Sequence, residues 1–250
     1  MKQKESELIR ILLLMALILN TTNTYSSERR DSTRLKLSAS ASFSINSNGI
    51  SSIPAFSLGK PAVVASLGLA KGRLSYDPTL AYGLDAKPWY IDSWIHYLII
   101  DRTVFKLRTG VNFSMYFSHL NPPLEQTLQG QRYWAVELAG LFNFTPTSNL
   151  TLMYWSDNGQ DHGTLQGHFL SISGEKSGIK LGKAFQMSAY FQIFYINYNG
   201  NNDGLFVTPK ISFSVRNLPM SVFIQIIQPL ETNISPAPGY QWNVGLVYNF

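Results

Sequence analysis

Apolar and polar residues alternate at every second position through most of this chain. The clearest stretch begins at Phe105, and its apolar positions are Phe105, Leu107, Val111, Phe113, Met115 and Phe117. The positions between them carry Lys106, Arg108, Asn112, Ser114, Tyr116 and Ser118. A helix would spread both sets around its circumference, so a period of two predicts a strand with two chemically different faces.

The same alternation recurs along the chain. Strong copies cover 35–45, 134–144, 185–195, 205–216 and 241–250, and weaker candidates cover 63–69, 74–84, 89–99, 150–155, 165–173 and 220–228. Past the N-terminal segment, no apolar run is long enough to span a bilayer as a helix, so insertion into a membrane requires strands. The pattern therefore predicts an all-β fold, a transmembrane antiparallel up-and-down β-barrel of about twelve strands.

The segments between the predicted strands alternate in length, as the connections of such barrels do. Short turns are predicted at 71–72, 101–103, 145–149, 174–178 and 217–219. The outer loops are predicted at 46–60, 85–88, 119–130, 156–163, 199–204 and 229–240, and most of these are longer. The alternation predicts short turns at the periplasmic end of the barrel and long loops at the outer end.

The last strand ends on an aromatic residue. Its apolar face is Trp242, Val244, Leu246, Tyr248 and Phe250. This face resembles the C-terminal recognition signal of outer-membrane barrels, and an exposed strand end of this kind can be captured by edge pairing. We therefore expect the barrel-assembly machinery and outer-membrane lipid as partners. Tyrosines and tryptophans near other strand ends fit interfacial girdles.

The N-terminus predicts export. The apolar block 11–19 follows Lys2, Lys4 and Arg10 and precedes a polar run, the arrangement of a secretory signal peptide. The block is much shorter than the roughly twenty residues of a membrane-spanning helix. We therefore predict a cleaved signal peptide at 1–26, a single barrel domain at 27–250, and an outer-membrane location.

Composition narrows the possible functions. The chain has no cysteine, which excludes disulfides, cysteine-ligated metal and a lipoprotein anchor. Its net charge of +5 is spread over scattered basic residues, so no nucleic-acid partner is expected. No motif calls for a cofactor.

One stretch of the chain resembles a known group of proteins. It runs from Gly49 through Pro61 and continues over 71–76 and 85–89. This stretch, under a quarter of the chain, is similar to uncharacterised porin-like outer-membrane barrels of Bacteroidota. The resemblance implies the same fold and location, and it implies no catalytic residue.

Charged residues on the polar strand faces are candidates for lining the lumen. These candidates are Lys36, Asp77, Asp92, Lys106, Arg108, Glu137, Lys210 and Arg216. If the apolar faces contact lipid, these side chains point inward, and an excess of positive charge would favour anionic solutes. The sequence thus suggests a porin-like passive channel for small hydrophilic solutes. A structural or adhesive barrel, in which the same charges pair with each other, remains an alternative.

A catalytic alternative rests on His162, His168, Ser171 and Ser173. Outer-membrane lipid hydrolases, such as phospholipases and lipid A deacylases, pair a histidine with a serine that needs a base. His168 and Ser171 are an odd number of positions apart, so on one regular strand they face opposite sides. We therefore expect no enzymatic activity. The acidic run Asp157, Asn158, Gly159 and Asp161 could hold calcium but is also typical of a solvated turn.

Overall fold

A computed structural model describes residues 36–119, 128–200, 202–235 and 238–250. Within these ranges twelve strands form a closed antiparallel barrel, in which β1 pairs with both β2 and β12. The strands are β1 Leu37–Asn46, β2 Ala62–Lys71, β3 Leu74–Gly83, β4 Pro88–Asp101, β5 Phe105–His119, β6 Leu128–Thr145, β7 Ser148–Gly159, β8 Gln166–Leu181, β9 Phe185–Tyr198, β10 Asn202–Val215, β11 Met220–Thr232 and β12 Gln241–Asn249. The fold predicted from the alternation is confirmed.

The predicted signal peptide at 1–26 lies outside the described residues. No helix in the described part of the chain is long and apolar enough to cross a membrane.

The outer surface of the barrel is apolar. In β6, Trp134, Val136 and Leu138 are 52%, 57% and 49% exposed, whereas the intervening Glu137 is only 5% exposed. Such alternation along a closed wall places the polar set inside and the apolar set outside. A belt of this kind on a barrel without sheet edges is suited to lipid and not to water. The apolar belt is what the prediction of a membrane-spanning barrel requires.

The two ends of the barrel differ. Connections at one end are short, at 72–73, 102–104, 146–147, 182–184 and 216–219, and the longest described connection, 47–61, lies at the other end. By the usual arrangement of such barrels, the short turns are periplasmic and the long loops are outside the cell.

One predicted turn is wrong. Residues 174–178 do not end a strand, because β8 continues to Leu181 and the turn to β9 comes at Gly182, which has a φ of 79°. The glycine-rich segment instead forms a register shift between Lys176 and Ile179, with Gly178 at a φ of 66°. A bulge uses the same left-handed backbone as a turn, so the residue types alone do not separate the two.

Candidate functional site

The loop that joins β1 to β2, residues 47–61, folds back into the outer mouth of the barrel; we call it the plug loop. It contains a short 3-10 helix, Pro54–Phe56. Ile53 is 6% exposed and belongs to a buried cluster inside the barrel. The Phe56 ring stacks on Tyr116 with 4.2 Å between centroids, and the Trp89 indole donates a hydrogen bond of 2.8 Å to the Phe56 carbonyl. The plug loop therefore occupies the lumen.

Hydrogen bonds to β12 hold the plug loop in place. The Ser47 amide donates to the Val244 carbonyl at 2.8 Å, and the Asn48 amide donates to Asn243 Oδ1 at 3.1 Å. Farther along the loop, the Ser57 hydroxyl donates to Gln241 Oε1 at 2.8 Å. The loop is thus tied to the barrel wall near its start and just after its helical turn.

Beneath the plug loop lies a row of stacked aromatic rings, which we call the aromatic layer: Trp155, Phe169, Phe194 and Phe206. Successive ring centroids are 4.4, 5.2 and 5.1 Å apart, and the rings come from the neighbouring strands β7, β8, β9 and β10. Ile53 packs into the same buried cluster. The plug loop and the aromatic layer together fill this section of the lumen with apolar side chains.

A network of charged side chains crosses the inside of the wall from β3 to β6. Asp77 contacts His96 Nδ1 at 2.9 Å, and His96 Nε2 lies 3.7 Å from Glu137. Arg108 Nε donates a hydrogen bond of 2.9 Å to Glu137 Oε1, and Arg108 Nη2 lies 2.8 Å from the same oxygen. Three of the predicted lumen residues, Asp77, Arg108 and Glu137, therefore meet at one place, together with His96 of β4.

The other predicted lumen residues are dispersed. Asp92 accepts a hydrogen bond from the Asn112 amide, Lys106 pairs with Asp101 at 3.1 Å, and the Lys210 ammonium lies 4.3 Å from the centre of the Phe223 ring. The remaining two candidates lie at the periplasmic rim: Lys36 precedes β1, and Arg216 follows β10 in a turn.

The described part of the lumen contains separate cavities. An outer cavity of about 500 Å³ lies between the plug loop, the outer ends of β6, β9 and β12, and the neighbouring loops. A space of about 40 Å³ beneath it is lined by apolar side chains, including Ile53 and Phe56, and by polar ones, including Asp92 and Asp157. A third cavity, of about 330 Å³, is bordered mainly by β1, β2 and β3 and includes Ser40, Ser66 and Asp77. The narrow middle region separates the two larger cavities.

The proposed hydrolase pair is not assembled. His168 shares the outward face of β8 with exposed Leu170, and its Nδ1 lies 2.9 Å from the Tyr154 hydroxyl. Ser171 is 4% exposed and faces the lumen beside Phe194. The two side chains are thus on opposite sides of the wall, as their odd spacing predicted.

The acidic run does not form one calcium-binding loop. Asp157 belongs to β7 and is buried, whereas Asp161 lies in the following loop. Asp161 accepts hydrogen bonds from Arg132, and the shortest, at 2.6 Å, comes from the backbone N–H of Arg132. The bonds from Arg132 hold the pKa of Asp161 below its ordinary value. The described residues contain no group of three metal-ligating side chains of the histidine, cysteine or carboxylate type.

These features define the class of protein: an outer-membrane β-barrel with a porin-like fold. No protein-family model matches the sequence, and no curated protein matches it. Among solved structures, the chain is similar to the KdgM porin, with a TM-score of 0.55 and 10% identity over 84% of this chain and 99% of that one. It is also similar to an outer membrane channel of Pseudomonas putida F1, with a TM-score of 0.51 and 9% identity over 89% and 99% of the two chains.

LpxR from Salmonella typhimurium has a similar barrel as well, with a TM-score of 0.51 and 6% identity over 84% of this chain and 99% of that one. At such low identities these likenesses show the fold alone.

Proposed function

We propose that this chain is a passive channel for small hydrophilic solutes, and that the plug loop closes it in the conformation described. The observation that carries the proposal is the division of the lumen into two larger cavities by the plug loop and the aromatic layer. A barrel of this size is wide enough for a narrow passage unless something fills it. The space of about 40 Å³ between the larger cavities has room for only a few water molecules, so a solute would pass only if the plug loop moved.

Solute selection in this proposal depends less on Lys106 and Arg108 than the sequence suggested. Both are ion-paired, to Asp101 and Glu137 respectively, so much of their field is neutralised. Lys210 has no ion pair among the described residues and faces the lumen beside Phe223. We therefore expect any preference for anions to be reduced more by Lys210→Glu than by Lys106→Glu.

Conductance in planar bilayers tests the channel. The purified barrel is compared with the double variant Ile53→Ala/Phe56→Ala, which removes apolar contacts of the plug loop but leaves its hydrogen bonds to β12. We expect discrete current steps that are more frequent in the variant. Val104→Ala, at an exposed periplasmic turn, removes an apolar side chain elsewhere and should behave as wild type. Folded protein, verified by a gel mobility that changes on heating, that gives no steps in either form would refute the proposal.

The proposal includes no catalysis. The opposed faces of His168 and Ser171 argue against the hydrolase that was considered from sequence, and the likeness to LpxR concerns the fold. Release of acyl chains from phospholipid or lipid A, abolished by His168→Ala, would show an enzyme instead.

The assembly partners remain part of the proposal. Trp242, Tyr248 and Phe250 are exposed on the outer face, and β12 closes the barrel against β1. An apolar outward edge at the closing strand is suited both to lipid and to capture by an assembly factor before closure. The resemblance to barrels of Bacteroidota likewise stays a prediction.

A further inference from the structure

We propose that Asp92 and Asp157 make this channel prefer small cations to anions. This inference rests on the channel proposal and deepens it, because it names the solute class that the narrowest described part of the lumen would pass. Both side chains border the space of about 40 Å³ that separates the two larger cavities. A fixed charge acts most strongly on a passing ion at a narrow point, where the ion comes closest to it.

The two carboxylates have no basic partner in the described part of the chain. Asp92 accepts a hydrogen bond from the Asn112 amide, which is neutral. The ion pairs among the described residues join other acidic residues to Lys60, His96, Lys106, Arg108 and Arg132. Three shorter segments outside the described ranges, 120–127, 201 and 236–237, contain no lysine or arginine. The narrow space therefore carries negative charge that these parts of the chain do not offset.

The burial of Asp157 independently indicates a cation. The residue is only 8% exposed and borders the narrow space from β7. Its carboxylate lies over Gly167 of β8, where a Cβ would be 2.6 Å from Oδ1, so the glycine leaves room for it. A buried carboxylate without an opposite charge is strongly unfavourable. A cation that enters the space would supply this charge, whereas an anion would be repelled.

The two charges belong to the barrel wall and not to the plug loop. Asp92 is in β4 and Asp157 is in β7, and each strand is paired on both sides. Movement of Ile53 and Phe56 would therefore widen the space but leave both carboxylates beside the passage. Asp77 of β3 borders the cavity of about 330 Å³, so acidic side chains continue along the lumen.

The basic residues of the described lumen lie outside this space. Arg108 is paired with Glu137, and Lys210 lies on β10 beside Phe223. Neither Arg108 nor Lys210 borders the narrow space. Because the interaction between charges falls with distance, the nearer carboxylates should dominate the selection of ions there.

The test is the ratio of K⁺ to Cl⁻ permeability, obtained from the reversal potential of the purified protein in a planar bilayer with a KCl gradient. Wild type is measured beside Ile53→Ala/Phe56→Ala, whose openings should be more frequent. A unit charge about 7 Å from an ion in water changes the local concentration of that ion about threefold, in opposite senses for K⁺ and Cl⁻. Asp157→Asn and Asp92→Asn keep the size of the side chain, and each should lower the ratio about three- to tenfold. Asp203→Asn removes a carboxylate that binds exposed Tyr195 and should leave the ratio unchanged.

A ratio above about three in wild type that falls in Asp157→Asn and Asp92→Asn but not in Asp203→Asn supports the inference. A ratio near one, a preference for Cl⁻, no change in Asp157→Asn and Asp92→Asn, or an equal fall in Asp203→Asn would each overturn it. In all of these cases the current steps would still support the channel. Folded protein that gives no steps would instead overturn the channel and, with it, the solute class named here, so the two failures are distinguishable.

Discussion

Arg108 can be tested as the counter-ion of a buried carboxylate. Its Nε donates a hydrogen bond of 2.9 Å to Glu137 Oε1, and its Nη2 lies 2.8 Å from the same oxygen. The Glu137 side chain is only 4% exposed, whereas that of Arg108 is 30% exposed. Arg108→Met keeps an unbranched apolar chain at this position but removes the charge, so it leaves the carboxylate buried with a weaker partner.

The magnitude follows from that burial. Removing one member of a buried ion pair typically costs about 3–5 kcal/mol, because the remaining charge is uncompensated. Because the Arg108 side chain is 30% exposed, water can reach the position that the guanidinium leaves and solvate part of the carboxylate charge. We therefore expect the lower end of the range, about 3 kcal/mol. Lys106→Met removes the exposed pair with Asp101 and should cost at most about 1 kcal/mol.

The assay is denaturant unfolding of the barrel in lipid vesicles, followed by tryptophan fluorescence. The double variant Arg108→Met/Glu137→Gln leaves no buried charge at the pair and should recover about 2 kcal/mol of the loss. The reasoning is refuted if Arg108→Met costs no more than Lys106→Met. It is equally refuted if the effects of Arg108→Met and Glu137→Gln simply add.

Three further predictions concern other parts of the barrel. Gly110→Ala places a Cβ 2.5 Å from the ring of buried His96 and should destabilise the barrel by about 1–3 kcal/mol. The control Gly174→Ala, whose Cβ would have its nearest contact at 3.8 Å, should be nearly neutral in the same unfolding assay. Arg132 lowers the pKa of Asp161, so the hydrogen bonds that join β6 to the β7–β8 loop are complete above the ordinary aspartate pKa of 3.8 and are lost as the pH falls through the lower pKa of the folded protein. Proteolysis of that loop should therefore rise only in acid for the wild type. For Asp161→Asn it should already be raised at pH 7. Phe250→Ser should lower the yield of folded barrel in outer membranes, measured by heat-dependent gel mobility, more than Phe144→Ser, which removes an exposed ring at the periplasmic end of β6.

The alternation of residue types was sufficient to predict the fold, because a barrel wall has lipid on one side and the lumen on the other. Each residue in β5 or β6 experiences one of two environments, and strict period-two patterning records that difference. Turn chemistry was less informative. Gly178 and Gly182 both adopt a left-handed backbone, yet only Gly182 ends a strand, because pairing with β9 continues past the bulge.

The apolar outer lumen was not predicted, although the sequence carries a signal of it. In β9 the inward face changes from Gln192 to Phe194, Ile196 and Tyr198, while apolar residues continue on the outward face. A strand with two apolar faces has lipid on one side and packed protein on the other. The prediction treated every non-lipid face as polar and so missed the aromatic layer.

The plug loop could not be predicted from local sequence patterns, because the rings that bury Ile53 come from strands that are far away in sequence.

The burial of the plug loop also limits how readily the loop can leave the lumen. Withdrawing Ile53 and Phe56 into water would expose two large apolar side chains, at about 1.5–3 kcal/mol each. A cost of roughly 3 kcal/mol or more favours the closed state by about a hundredfold. Such a channel conducts only in rare openings unless a solute or a voltage offsets that cost. Ile53→Ala/Phe56→Ala should therefore change the frequency of opening more than the size of the current step.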